Sequence, residues 1–206
     1  MYLSLLMLNL RSRQVRSELA SPYEMHRTIM QAFPDGQKRD TAGVLFRLDM
    51  DARSGQPVLL VQSQVEPNWH VLKADYLATS VHPQVKEYDL KLRGGQTLAF
   101  RLLANPTVKR DSKRHGLYKE EEQEDWLLRK GSNHGFRVLQ VAISHTDTAK
   151  GEIHRAEVSH DLTLLSVRFD GVLQVADPFK LHETVMSGVG SGKAFGFGLL
   201  SLARPT

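Results

Sequence analysis

The sequence predicts an α+β fold in which the order β-α-β-β-α-β occurs twice. Three observations carry that expectation. Short stretches with alternating apolar residues recur along the chain, bounded by turn residues. Amphipathic helices open at Pro22, Glu120 and Pro178. The pair Gly94-Gly95 separates two halves with the same element order.

In the first half, the span Tyr2–Leu10 reads as a strand, apolar on both faces and therefore an inner one. Ser21-Pro22-Tyr23-Glu24 has the form of a capping box with proline at the first helical position. The helix it opens runs to Phe33 and stops before Pro34-Asp35-Gly36. Val44–Met50 alternates, with Val44, Phe46, Leu48 and Met50 on one face, and Val58–Gln64 is a further strand. A weakly periodic helix is placed between Trp69 and Leu77. Tyr88, Leu90 and Leu92 alternate with charged residues and predict the last strand of this half.

The second half repeats the order. Gln96–Ala104 is a strand with Leu98, Phe100 and Leu102 on one face, followed by a basic segment. Glu120–Lys130 is a helix with acids at its start and Arg129-Lys130 at its end, as the helix dipole favours. Phe136–Ile143 is a strand that leads into a polar stretch. Leu162–Phe169 and Val172–Ala176 are expected to pair across Asp170-Gly171, a hairpin signal. A helix over Pro178–Met186 and a strand over Phe195, Phe197 and Leu199 finish the chain. Two tandem ferredoxin-like (RRM-like) βαββαβ domains, 1–93 and 96–206, are the expected architecture. Sheets of this class offer a face on which RNA-recognition modules stack bases.

Composition narrows the chemistry. The chain has no cysteine, which excludes disulfides, thiolate catalysis and cysteine-based zinc sites. No apolar run approaches the roughly 20 residues that span a membrane, and the N-terminal run lacks the marks of a signal peptide, so a cytoplasmic protein is expected. Net charge is +4. Arg101, Lys109, Arg110, Lys113 and Arg114 stand against the single acid Asp111, so this segment alone carries as much excess positive charge as the whole chain. That concentration points to a polyanion. The histidines show no H-E-x-x-H spacing, and no G-x-S-x-G elbow is present.

The segment from Gly188 to Ala203 holds Gly-Ser-Gly-Lys at 190–193 and looks at first like a nucleotide-binding P-loop. Ser187 stands where that motif needs its first glycine, and Ala194 replaces the hydroxyl that would hold magnesium. The order of elements is also helix-to-strand instead of strand-to-helix. Two readings remain: a tight connection, or a cradle in which the amides of Gly190, Ser191 and Gly192 hold an anion beside Lys193.

On the first helix, Met25, Ile29, Ala32 and Phe33 form the core stripe. Tyr23, His26, Arg27 and Met30 fall on a stripe roughly 125° away at ~100° per residue. Imidazole, phenol and guanidinium on adjacent turns suit phosphodiester chemistry. RNA carries its own nucleophile, the 2′-OH, so cleavage needs a proton acceptor there and a donor at the leaving 5′-oxygen. His26 can fill either role. A phenol, ordinarily titrating near pH ~10, is better suited to orienting or donating. Arg27 can offset charge developing on phosphorus. This chemistry requires no metal or other cofactor.

Several segments, in order, resemble one family. They are the N-terminal Met1-Tyr-Leu-Ser strand, Pro22-Tyr-Glu-Met-His-Arg27, Val58-Leu-Leu-Val-Gln-Ser63, Phe100-Arg-Leu-Leu-Ala-Asn-Pro106, Trp126-Leu-Leu-Arg129, Phe169-Asp-Gly-Val-Leu173 and the stretch Gly188–Ala203. The chain resembles the CasE-type CRISPR endoribonucleases, subunits of the type I-E Cascade complex. The resemblance implies metal-independent cutting of CRISPR precursor RNA at the base of the repeat stem-loop, leaving a 2′,3′-cyclic phosphate and a 5′-OH. It also implies retention of the product hairpin and assembly with other Cascade subunits. His26 and Tyr23 fall on the family's catalytic positions, with Arg27 beside them, and Gly188–Gly198 matches its glycine-rich loop. The family's basic hairpin corresponds to about Ser144–His160, where this chain has only Lys150 and Arg155 as fixed cations. Lys109–Arg114 is then expected to hold more of the stem through phosphates. The competing readings are a hairpin-binding subunit without catalysis and, with two P-loop positions missing, a nucleotide hydrolase.

Overall fold

Residues Tyr2–Met7 form β1, which carries no charged residue and is hydrogen-bonded along both edges. The structure, a computed structural model, describes residues 1–34, 42–51, 53–78, 82–155 and 158–205; the side chains at 145–147, 149–155 and 158–163 lie outside the described set. Two units emerge. Unit 1 comprises Met1–Asp89, Lys150–Leu162 and Ala194–Gly196; unit 2 comprises Leu90–Ala149, Thr163–Lys193 and Phe197–Thr206.

In unit 1, β1 is followed by α1 (Arg13–Ala20), α2 (Pro22–Met30), β2 (Leu45–Met50), β3 (Pro57–Ser63) and β4 (Gln84–Glu87). The sheet has the order β2-β3-β1-β4, with every pairing antiparallel. The predicted inner position of β1 is therefore realised. Met25 and Ile29 of α2 are buried with Leu6, Phe46, Leu59 and Val61 of the sheet, as the apolar stripe requires.

Helix α1 is an element the sequence reading did not contain. It is only eight residues long, and its buried side chains are Val15 and the charged Glu18, so its apolar periodicity is faint. Arg13 and Arg16 lie on it, exposed. Ser21 stands at the N-cap of α2, but its hydroxyl makes no capping bond. The Glu24 carboxylate needed for the reciprocal half of the box accepts from Arg27 instead, at 3.1 Å. Between Trp69 and Leu77 only a 3₁₀ turn forms, Trp69–Val71. The last strand of this sheet is Gln84–Glu87, so the alternation at Tyr88, Leu90 and Leu92 lies beyond the ladder.

Unit 2 holds β5 (Thr97–Ala104), β6 (Thr107–Arg110), β7 (Lys113–Gly116), α3 (Glu120–Asn133), α4 (Pro178–Ser187) and β10 (Leu200–Ala203), with β8 (Phe136–Arg155) up to residue 149 and β9 (Val158–Val175) from residue 163. Its larger sheet has the order β10-β5-β9-β8, and β6 and β7 pair separately. Alternation in β5 buries Leu98, Phe100, Leu102 and Ala104. Trp126 of α3 stacks on Phe169 of β9, ring centres 6.1 Å apart.

The expected hairpin at Asp170-Gly171 does not form. Both residues lie inside β9, where Asp170 faces Arg101 and Gly171 faces Phe100. A Cβ on Gly171 would come 2.1 Å from the Gln140 carbonyl oxygen of β8. The glycine serves close approach of neighbouring strands, the alternative physical meaning of glycine in a strand pattern. Phe195, Phe197 and Leu199 are likewise not a strand. Gly196 and Gly198 adopt φ of 84° and 91°, and the final strand starts only at Leu200.

Candidate active site

Pairing to Val61 of β3 fixes Phe46 at the second position of β2, and α2 starts at Pro22 above this sheet. One turn into the helix, Tyr23 and His26 are both half-buried, with ring centres 6.3 Å apart. His26 stacks on Phe46 at 6.0 Å with the planes within 9° of parallel. Tyr23 packs on Phe195 at 5.7 Å. Nδ1 of His26 is itself buried. The sequence-predicted pair is therefore brought together on a shelf of apolar rings.

Arg27 takes a different direction. Its side chain is 66% exposed and pairs with Glu24 at 3.1 Å, an exposed ion pair of small net worth. It lines a polar groove of about 540 Å³ with Arg13, Gln14, Ser17, Lys73 and Asp75. Exchange of Glu24 for a phosphate would keep the guanidinium on an anion. Beneath this groove lies a buried network that sequence reasoning missed. Glu18 accepts from the Tyr76 hydroxyl at 2.6 Å, from the Thr28 hydroxyl at 2.6 Å and from Gln14 Nε2 at 2.8 Å. Burial first, then the hydrogen bond and the charge of Glu18, push the Tyr76 phenol above its ordinary range. The network joins α1 to α2, the helix that carries the candidate pair. Its sequence signal was slight: a Gln14–Glu18 spacing of i, i+4 on a short helix.

In unit 2, Lys109, Arg110, Lys113 and Arg114 all belong to the β6–β7 hairpin, and Arg110, Lys113 and Arg114 are exposed along with Lys109. Asp111 and Ser112 at its tip have φ of 48° and 63°, the sign required at both central residues of a two-residue turn. The register places Lys109 opposite Arg114 and Arg110 opposite Lys113. Like charges directly opposite repel, so this ribbon is a surface whose stability improves when an anion lies along it. Arg101 stands apart from the hairpin, on β5, bound to Asp170 at 2.5 Å, with Arg168 on the other carboxylate oxygen at 2.6 Å. Burial raises the Asp170 pKa, but the hydrogen bonds and charges of the two arginines outweigh it and hold the carboxyl below its usual range. Lys150 and Arg155 lie on β8 with side chains outside the described set.

The glycine-rich segment resolves into separate pieces. Ser191 forms a bridge with Asn105, and Gly190 lies against Trp126, where a Cβ would be 3.2 Å from the indole. Gly192 has φ of 81°. Lys193 Nζ donates to the Ser187 carbonyl at the end of α4, a favourable place for a cation. The next three residues, Ala194–Gly196, belong to unit 1, where Phe195 meets Tyr23.

Known proteins resemble this chain in sequence and in fold. The family model described as CRISPR associated protein matches residues 1–204. The chain is 37% identical to the CRISPR-associated endoribonuclease Cse3 of Thermus thermophilus, across 98% of this chain and 100% of that protein. It is 32% identical to the Cascade subunit CasE of Escherichia coli, across 88% and 91%. The structure of Cse3 bound to an RNA representing a pre-cleavage complex superposes with a TM-score of 0.87, 37% identity and 98% coverage of both chains. Cas6e of Escherichia coli superposes with a TM-score of 0.68 and 28% identity, covering 100% of both. The chain belongs to the CRISPR-associated protein family that includes Cse3 of Thermus thermophilus and CasE of Escherichia coli.

Proposed function

We propose that this protein is a metal-independent endoribonuclease that cuts CRISPR precursor RNA at the base of the repeat stem-loop and keeps the resulting hairpin. The observation that carries the reading is the Tyr23–His26 pair, half-buried on a ring-lined shelf with centres 6.3 Å apart, in a chain of this family. One of the pair accepts the proton of the 2′-OH as that oxygen attacks phosphorus. The bond from phosphorus to the 5′-oxygen breaks, and the other group protonates the departing oxygen. A 2′,3′-cyclic phosphate and a 5′-OH result, with no water consumed. Arg27, once it leaves Glu24, offsets charge on the phosphoryl oxygens. RNA brings the nucleophile, so no metal is needed to generate one.

The cationic β6–β7 hairpin, with Lys109, Arg110, Lys113 and Arg114, holds the stem through phosphates, and Arg101, Lys150, Arg155 and the 190–193 loop extend that grip. Both four-stranded sheets have an order consistent with ferredoxin-like topology, which supports tandem domains over 1–93 and 96–206. Known relatives occur within a CRISPR RNA-guided surveillance complex, which supports assembly of this chain with other Cascade subunits. No helix among the described residues is long and apolar enough to cross a membrane, consistent with action in the cytoplasm.

The test is cleavage of a stem-loop repeat RNA in EDTA. Wild type is expected to cut in chelator; His26→Ala is expected to leave only a small residual rate, and a 2′-deoxy residue at the scissile position to abolish cutting, both with binding intact. Binding without cleavage by wild type would establish a hairpin-holding subunit instead.

A further inference from the structure

Four rings form a continuous ladder through the candidate site: Phe195, Tyr23, His26 and Phe46, with successive centres 5.7, 6.3 and 6.0 Å apart. The two inner rings carry the chemistry. The two outer rings are phenylalanines from different parts of the chain, 8% and 1% exposed for Phe195 and Phe46. From this arrangement we propose that Phe46 and Phe195 are positioning residues, acting through His26 and Tyr23 by holding each ring by its face. The inference rests on the endoribonuclease reading above and deepens it.

An imidazole exchanges protons through two nitrogens in its ring plane, and a phenol through its hydroxyl at the ring edge. A flat apolar ring stacked within 9° of parallel restricts the tilt of the imidazole without using its edge. Phe195, tilted 32° to Tyr23, restrains the phenol in the same way and leaves its hydroxyl to the substrate. Two groups that must reach one phosphodiester from different sides gain from such restraint, because a displacement of about 1 Å costs on the order of 100-fold in rate.

Gly196 belongs to the same device. It has φ of 84°, and a Cβ there would lie 3.2 Å from Phe46 Cε2. The backbone just after Phe195 therefore closes on the edge of Phe46, so one tripeptide, Ala194–Gly196, both supplies one outer rung and borders the other. Phe46 is also a core residue, buried with Leu6, Ile29 and Val61. A test must separate core packing from positioning.

Phe46→Leu preserves an apolar side chain and removes the flat face. Phe195→Leu does the same for Tyr23. Single-turnover cleavage at saturating enzyme is measured for each, with Kd taken from the uncleavable 2′-deoxy hairpin. The expected result is a rate reduced about 10- to 100-fold with Kd changed less than about 2-fold. In the His26→Ala background, Phe46→Leu is expected to have no further effect on the residual rate, since its target is gone. A ¹³C–¹H spectrum of the His26 imidazole provides a readout independent of turnover: loss of the stacked ring moves the His26 signals while other histidines stay in place. An unchanged rate in both leucine variants, equal proportional losses with and without His26, or unmoved His26 signals would overturn the proposal. If His26→Ala itself cuts as fast as wild type, the catalytic assignment falls and takes this inference with it. If His26→Ala keeps only a residual rate and Phe46→Leu is not impaired, the positioning role alone is refuted.

Discussion

Tyr76→Phe tests the buried network under the candidate site. Tyr76 is 1% exposed and Glu18 4%, and the hydroxyl donates to the carboxylate at 2.6 Å. The substitution keeps the ring and its packing and removes one charge-assisted bond. Such a bond contributes about 1.5–3 kcal/mol, and the carboxylate left short of a donor stays buried. Thr28 and Gln14 still donate to the other oxygen, so the loss falls on Oε2 alone. A cost of about 2 kcal/mol lowers Tm by about 4–8 °C for a chain of 206 residues. The pH dependence has a definite sign. Burial and Glu18 raise the Tyr76 pKa in the fold above its ordinary value, so the neutral phenol is the stabilising form. Its contribution is complete below about pH 10 and is lost as pH rises beyond that. Urea unfolding at pH 8 and on an alkaline series reads both effects. The gap between wild type and Tyr76→Phe should be about 2 kcal/mol at pH 8 and narrow above pH ~10. A gap below about 0.5 kcal/mol at pH 8, or one constant to high pH, would refute the argument.

Other predictions use different parts of the molecule. Gly171→Ala should destabilise by about 3 kcal/mol in urea unfolding, because its Cβ meets the Gln140 carbonyl at 2.1 Å and backbone must move; a near-neutral result would argue for a turn there after all. Replacing Lys109 and Arg114 with alanine should weaken hairpin-RNA binding and lower the slope of log Kd against log salt by about one unit for each phosphate no longer neutralised, measured by fluorescence anisotropy. Burial first, then Lys130 and Lys193, lower the His134 pKa, so its contribution to stability is present above about pH 6.5 and lost as pH falls through the folded value. Thermal melts from about pH 8 to about pH 5 should therefore show an acid-side decline that His134→Gln flattens.

Particular residues show where the sequence was legible. Met25 and Ile29, four apart, announced the buried face of α2 and with it the opposite stripe that holds Tyr23 and His26. Leu98, Phe100 and Leu102 announced β5. Asp170-Gly171 misled, because the same dipeptide that favours a tight turn also lets a strand pass close to its neighbour, and only the neighbour decides. The Phe195–Leu199 alternation misled for a related reason: period two without the backbone angles of a strand leaves no ladder. Helix α1 escaped because half of what it buries is a carboxylate.

The sequence by itself determined the elements with strong local periodicity, the family membership and the helix that carries the Tyr23–His26 pair. These follow from short-range rules: side-chain period, helix start signals and an ordered set of motifs. Tertiary structure alone decided that Phe46 and Phe195 flank that pair, that Arg27 turns to Glu24, and that Glu18, Thr28 and Tyr76 share one buried carboxylate network. Each of these joins atoms on separate elements or on one of several open rotamers. Their partners are chosen by packing and desolvation, which depend on what the whole fold places nearby and leave no periodic trace along the chain.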